Sequence, residues 1–181
     1  IRERQIFLAD FWNHGTVTDG CISSGRSNGG GYMYIDWNGS VTPCVFVPYS
    51  PVNINQVYAK GGSLNDAWAD GFFGGIRDWQ DEYRTGNGRP GNWMAPCVIR
   101  DHHADFRRIV MEHEPDPADE NATEALLDPE YAQGMIDYDE AYQSLADEVW
   151  EEHYLRPDDP DDGHIKPLPD VPSPSDHTVA E

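Results

Sequence analysis

Residues 32–46 read YMYIDWNGSVTPCVF. Tyr32, Tyr34 and Asp36 alternate with Met33, Ile35 and Trp37, the period of two that marks a β-strand. Asn38-Gly39 follows, the strongest short-range hairpin signal, because both central residues of a type I′ turn need positive φ. Residues 41–47 then read as the return strand, and Pro43 places that strand at a sheet edge or beside a bulge. The hairpin delivers Cys44 between Pro43 and Val45. By position alone Cys44 is either a small buried thiol or a ligand, since free cysteine is among the most buried residue types.

The segments on either side carry the other two cysteines. Residues 1–20 read as a strand, with Ile6, Phe7 and Leu8 apolar, followed by a polar loop. Residues 21–31, CISSGRSNGGG, hold too much glycine to be regular throughout. Residues 48–62 read as a long loop. Ser63 then caps a helix, with Asp66 at the capping-box position. Phe72, Phe73, Ile76, Trp79 and Tyr83 stand at helical spacing and predict a helix over about 72–83. Cys97 falls in a loop before a further helix, for which Asp101 is the expected N-cap. Two more helices are expected, over about 119–127 and 137–154. In the second, Tyr138, Ala141, Tyr142, Leu145, Val149, Trp150 and Tyr154 form the apolar stripe that would dock on the rest.

Charge divides the chain sharply. Residues 1–111 carry 11 acidic and 10 basic side chains, whereas residues 112–181 carry 22 acidic and 2 basic ones. The net charge of -21 therefore belongs to the C-terminal part. A near-neutral body lacks the basic face that nucleic acid requires, and the acidic part would repel anionic lipid. No run approaches the roughly 18 apolar residues of a membrane span. Residues 1–10 show no secretion signal, so the expected location is the cytoplasm, where thiols stay reduced or bind metal. Ile1 is not a start methionine and a strand-like run begins at once, so the chain reads as the distal part of a longer protein.

Each cysteine stands in a segment punctuated by glycine or proline: DGCISSGR, VTPCVFV and APCVIRD. Loops of this kind let thiolates converge and turn backbone N–H groups toward sulfur, as cluster ligands require. Three unrelated buried thiols are the plain alternative. A zinc site needs a fourth ligand, and no CxxC or HxxxH pair provides the usual spacing. His102 and His103 are the candidates for it, although a histidine in a polar run such as RDHHADFRR is more commonly solvated or hydrogen-bonded. Three readings stay open on the residues alone. They are an iron–sulfur site, a structural zinc site of three cysteines plus His102 or His103, and a metal-free aromatic-rich binding module.

Taken together, GCISSGR and GGGYMYIDWNGSVTPCVF resemble the C-terminal auxiliary-cluster region of radical SAM enzymes, the SPASM or shortened twitch type. That motif is a cysteine, a spacer and Gly-x4-Cys, matched here by Cys21, Gly39 and Cys44. The spacer is slightly longer than the family's, and SNGGG accounts for the excess. Cys97, in MAPCVIRDHH, matches the further cysteine that follows a helical insert. The resemblance covers about residues 6–111, and the sequence from Asp128 to Leu155 is similar to the helical tail of the same proteins.

The resemblance implies an α+β fold, with a small loop-rich cluster domain centred on the hairpin over residues 1–111. An acidic helical extension over 112–156 would pack on it, and a Pro- and Asp-rich disordered tail would occupy 157–181. It implies one auxiliary 4Fe–4S cluster held by Cys21, Cys44 and Cys97. The fourth position would be open, filled by a non-cysteine ligand such as His102 or His103, or supplied from missing sequence. In the related molybdenum-cofactor cyclase, a three-cysteine cluster leaves one iron free for substrate. The CxxxCxxC motif and its barrel are absent, so S-adenosylmethionine would belong to an N-terminal radical SAM barrel, the expected partner. Catalytic residues are unassigned. The substrate would be a peptide or a small molecule, with no nucleic acid and no membrane involved.

Overall fold

The structure, a computed structural model, describes residues 20–26, 31–85 and 91–155. The strand and polar loop expected over residues 1–20 lie almost wholly outside these residues, as does the expected disordered tail.

The hairpin forms as expected, but with a different turn. Strand β1 (Tyr34–Ile35) pairs antiparallel with β2 (Ser40–Thr42), placing Ile35 opposite Val41. Asn38 is not in the positive-φ region, while Gly39 is, at φ +92°. The Gly39 N–H donates to the Asp36 carbonyl, and the Asp36 N–H donates to the Ser40 carbonyl. The reversal is therefore not type I′. It is a longer turn closed by one left-handed glycine, as in a bulged hairpin. Side chains take over the work of a second positive φ. The Asp36 carboxylate accepts from the N–H groups of Asn38 and Ser40, and the amides of Asn53 and Asn55 both donate to the Asn38 carbonyl. Trp37 stands at the tip, 95% exposed.

A Cβ on Gly39 would lie 2.3 Å from Asn55 Nδ2. Gly39→Ala thus combines left-handed strain with a clash. It is expected to cost about 1–3 kcal/mol, read as a lower urea midpoint at unchanged m-value.

The return strand stops at Thr42, earlier than the expected residue 47. Pro43, which has no N–H for a ladder, is buried and begins a turn that Val47 N–H closes onto the Cys44 carbonyl. Strand β4 (Val52–Asn53) completes the sheet in the order β1-β2-β4, and β3 (Tyr49–Ser50) sits between β2 and β4 in sequence. The loop expected over 48–62 is in fact these two strands and a helix, α1 (Ile54–Ala59), capped by the Asn53 side chain. That helix has no amphipathic period long enough to read from sequence.

Helix α2 (Leu64–Trp68) carries the expected capping box of Ser63 and Asp66. Helix α3 (Gly71–Thr85) buries Phe72, Phe73 and Ile76. After it come α4 (Val98–Asp101), α5 (His103–His113), β5 (Asp116–Pro117), α6 (Glu120–Leu127) and α7 (Pro129–His153). The molecule is α+β. One apolar core joins Cys44, Phe72, Ile76, Trp79, Phe106 and Ile109; a second, beneath the hairpin, joins Val41, Ile54, Ala67 and Phe73.

The acidic segment is built into this core. The change in composition near residue 111 falls inside α5. Strand β5 pairs with β3, the Tyr49 hydroxyl donates to the Ala122 carbonyl, and the Tyr142 hydroxyl donates to the Met94 carbonyl. Helix α7 packs on α4 and α5 through a stripe that only partly matches the expected one, sharing Trp150 and half-buried Tyr142 with it. Ala132, Asp139, Ala146 and Trp150 are buried, while Tyr138, Leu145 and Val149 are exposed. The small residues allow close helix approach, and the aromatic count misplaces the face. Among the described residues, no helix is long and apolar enough to cross a membrane.

Candidate metal centre

Cys21, Cys44 and Cys97 come from three separate segments and are brought to one region. The loop at residues 20–26 is tied to the hairpin by backbone bonds, Tyr32 N–H to the Ile22 carbonyl and Ser24 N–H to the Pro43 carbonyl. Helix α3 holds the other side of that loop. Gln80 Nε2 donates to the carbonyl and hydroxyl of Ser23, and Arg77 donates to the Ser24 carbonyl. The loop is tightly folded. Ser24 is buried with φ +60°, and at Gly25 a Cβ would lie 1.7 Å from the Trp68 ring. Glycine is required there because the backbone runs against an aromatic face.

Electrostatics register the convergence. Cys44 lies close enough to raise the pKa of the Cys21 thiol, and Cys21 does the same to Cys97. Burial raises the Tyr32 pKa, and all three cysteines lie close enough to raise it further. Burial is the main cause in each case. It pushes the Cys21 thiol up and takes the Cys97 thiol up to about 12, although both residues keep part of their surface open.

Two of the sulfurs accept a backbone N–H. Ser23 N–H donates to Cys21 Sγ at 3.5 Å, and Phe46 N–H donates to Cys44 Sγ at 3.3 Å. Cys97, at the N-cap of α4, makes no side-chain cap hydrogen bond, though the nearby N–H groups of Arg100 and Ile99 favour its thiolate. At Cys21 and Cys44 the donor is the residue two beyond the cysteine, in a loop and in a β-turn. N–H groups on sulfur stabilise the thiolate, the form that binds iron or zinc.

Asp101 proves to be the residue that holds Cys97. Expected as an N-cap, it is instead the last residue of α4, and Cys97 takes the N-cap position. The fully buried Asp101 carboxylate reaches back to accept the Cys97 N–H at 3.0 Å and is clamped by the Arg100 guanidinium.

The two histidines are placed differently from a ligand pair. His102 packs against the stacked pair Trp79 and Tyr83, with Nε2 2.8 Å from the Ala95 carbonyl and Nδ1 3.5 Å from Gln143 Nε2. Burial lowers its pKa, so it is a neutral core imidazole. His103 is buried against Phe106 and Tyr131, its backbone N–H donates to the Asp139 carboxylate, and its Nδ1 has no hydrogen-bond partner. Among the described residues, no three His, Cys, Asp or Glu side chains are grouped so as to hold a single metal ion.

Two residues around the thiols carry no site reading in the sequence: Tyr32 and Gln80. Gln80 carried a usable signal, since it lies on the same helical face as Phe73, Ile76 and Tyr83, where a polar side chain needs a buried partner. It also lines a narrow recess beside Cys21, with Arg26, Trp79, Tyr83 and Pro96, and its Oε1 is buried without a partner. Tyr32 read only as a strand residue.

The raised Cys97 pKa makes a prediction for the metal-free chain. Above about pH 9, the unshifted thiol value, the unfolded chain loses this proton while the folded one keeps it. The folded state then binds more protons, so stability falls as pH rises from about 9 toward 12. Urea melts of wild type and Cys97→Ala across that range should show the wild type losing stability faster. Parallel curves would contradict the burial of this thiol.

No protein-family model matches the chain, and no curated protein or solved structure does so either.

Proposed function

We propose that Cys21, Cys44 and Cys97 hold one auxiliary 4Fe–4S cluster, and that the chain is the cluster-bearing C-terminal part of a radical SAM enzyme. The observation that carries this reading is that three thiols from distant segments lie within electrostatic range of one phenol, Tyr32, two of them with a backbone N–H on the sulfur. The donor set fits the group chemically, since sulfur ligands with N–H donors suit iron–sulfur clusters. A structural zinc ion is less well supported. Zinc needs four ligands closed tightly around one ion, and both nitrogens of His102 face other protein groups.

When bound, such a cluster supplies one-electron transfer or, at an open iron, a Lewis acid for substrate. The chain's own residues prepare for it. Gly39 sets the end of the hairpin, Asp101 fixes the Cys97 backbone, and Gln80 with Arg77 fixes the loop that carries Cys21. The radical itself would come from S-adenosylmethionine in an N-terminal barrel. A peptide or small-molecule substrate would be bound between that barrel and this site.

Anaerobic reconstitution with iron and sulfide tests the reading. The chain should bind about four irons and four sulfides, and show a 4Fe–4S electron paramagnetic resonance signal after reduction. Failure to take up iron would overturn it.

A further inference from the structure

We propose that the outward face of α7 is a docking surface for a basic amphipathic helix of a partner protein. The inference stands apart from the cluster reading and involves no metal.

The face is a seam at heptad spacing. Tyr131, Met135, Tyr138, Tyr142, Leu145 and Val149 succeed one another at alternating steps of four and three residues. That pattern keeps one apolar stripe turned toward a neighbouring helix. The face docked on α4 and α5, through Ala132, Asp139, Ala146 and Trp150, lies about a quarter-turn away around the helix axis. Helix α7 thus has two apolar faces, and the body covers only one. Leu145 is 71% exposed, Tyr131 and Tyr138 are each 46% exposed, and Val149 is 39% exposed. From Tyr131 to Val149 the seam runs for about 27 Å. A continuous stripe of that kind marks an interaction site, unlike apolar residues scattered singly over a surface. Its middle is already rigid. The Tyr138 and Tyr142 rings stack at 5.4 Å or more from any new neighbour's reach only through each other, with centroids 6.1 Å apart, and the Tyr142 hydroxyl donates to the Met94 carbonyl.

Charge selects the occupant. Helix α7 contains no Lys or Arg. On the flank away from the body stand Glu130, Asp137 and Glu148, all exposed. Gly134 and Ala141 lie between the seam and these carboxylates, and their small size lets a neighbouring helix approach closely. A second copy of the chain would set the same carboxylates against one another, and like charges across an interface select against that pairing. Anionic lipid is disfavoured for the same reason. A helix with an apolar seam flanked by Lys or Arg satisfies both the stripe and the acidic flank.

The test is fluorescence anisotropy of a labelled synthetic helix, about three heptads long, with Leu at its seam and Lys on its flanks. The full chain should bind it, and should bind the same peptide with Glu in place of Lys about tenfold more weakly or less. Leu145→Ser should weaken binding of the Lys peptide about tenfold. Leu64→Ser, at an exposed apolar residue on α2, should leave it unchanged. Replacing Glu130→Lys and Glu148→Lys together keeps the seam and should reverse the preference between the two peptides. If Leu145→Ser fails to fold, this charge-swapped chain decides. Equal binding of the Lys peptide by wild type and folded Leu145→Ser, or an unchanged preference in the charge-swapped chain, would overturn the proposal. A wild-type dimer in sedimentation that Leu145→Ser dissociates would also overturn it, by assigning the seam to a second copy.

Discussion

Cys44→Ala should reduce the iron bound after anaerobic reconstitution from about four per chain to near zero, with loss of the visible absorption band. The size of the effect follows from the ligand count. Only three cysteines exist in the chain, so removing one leaves two thiols to hold a group that needs at least three. Cys44 is also the most buried of the three, and its sulfur accepts the Phe46 N–H. The fold should survive, since the side chain loses a single sulfur atom and the hairpin is held by its own turn bonds. Circular dichroism of the variant should therefore match wild type. His102→Gln is the informative contrast. Both ring nitrogens of His102 already face protein partners, so this variant should bind iron at the wild-type level. Retention of iron in Cys44→Ala, or its loss in His102→Gln, would place the ligands elsewhere.

The largest effect on stability should come from Asp101→Ala, at about 3–5 kcal/mol. Asp101 is 0% exposed and serves two groups at once, the Arg100 guanidinium and the Cys97 N–H. Its removal leaves a partly buried cation and a backbone donor without their acceptor. Chemical denaturation measures the loss. Asp101→Asn keeps an acceptor for the Cys97 N–H but not the ion pair, and should fall between wild type and alanine. Because Asp101 fixes the Cys97 backbone, both variants should also bind iron more weakly, alanine more so. A loss under about 1 kcal/mol for alanine would mean that the carboxylate is not the clamp its contacts describe.

The parts legible from sequence are those with local signals. The hairpin, the capping box at Ser63 and Asp66, and the long helix through Phe72 and Ile76 all follow from spacing within a few residues. What escaped depends on partners distant in sequence. The turn at Gly39 departs from type I′ because Asn53 and Asn55, on the next elements, hold the Asn38 carbonyl. The docking face of α7 departs in part from the aromatic stripe because Ala132 and Ala146 let the helix approach closely, and because one oxygen of buried Asp139 accepts the His103 backbone N–H of another helix. Asp101 looks like a cap facing forward, whereas it reaches back four residues to Cys97. At the site, the three cysteines could be named from sequence and the resemblance implied that they meet, but not the contacts that bring their segments together. Those contacts are the bridges from Ser24 to Pro43 and from Gln80 to Ser23, each linking segments far apart in the chain.

The most direct measurement is metal and acid-labile sulfide analysis of the wild-type chain isolated anaerobically from cells, without reconstitution. Iron and sulfide in equal amounts, with little zinc, is the result expected of a cluster held by Cys21, Cys44 and Cys97. Zinc without sulfide, or three thiols free of any metal, would contradict it.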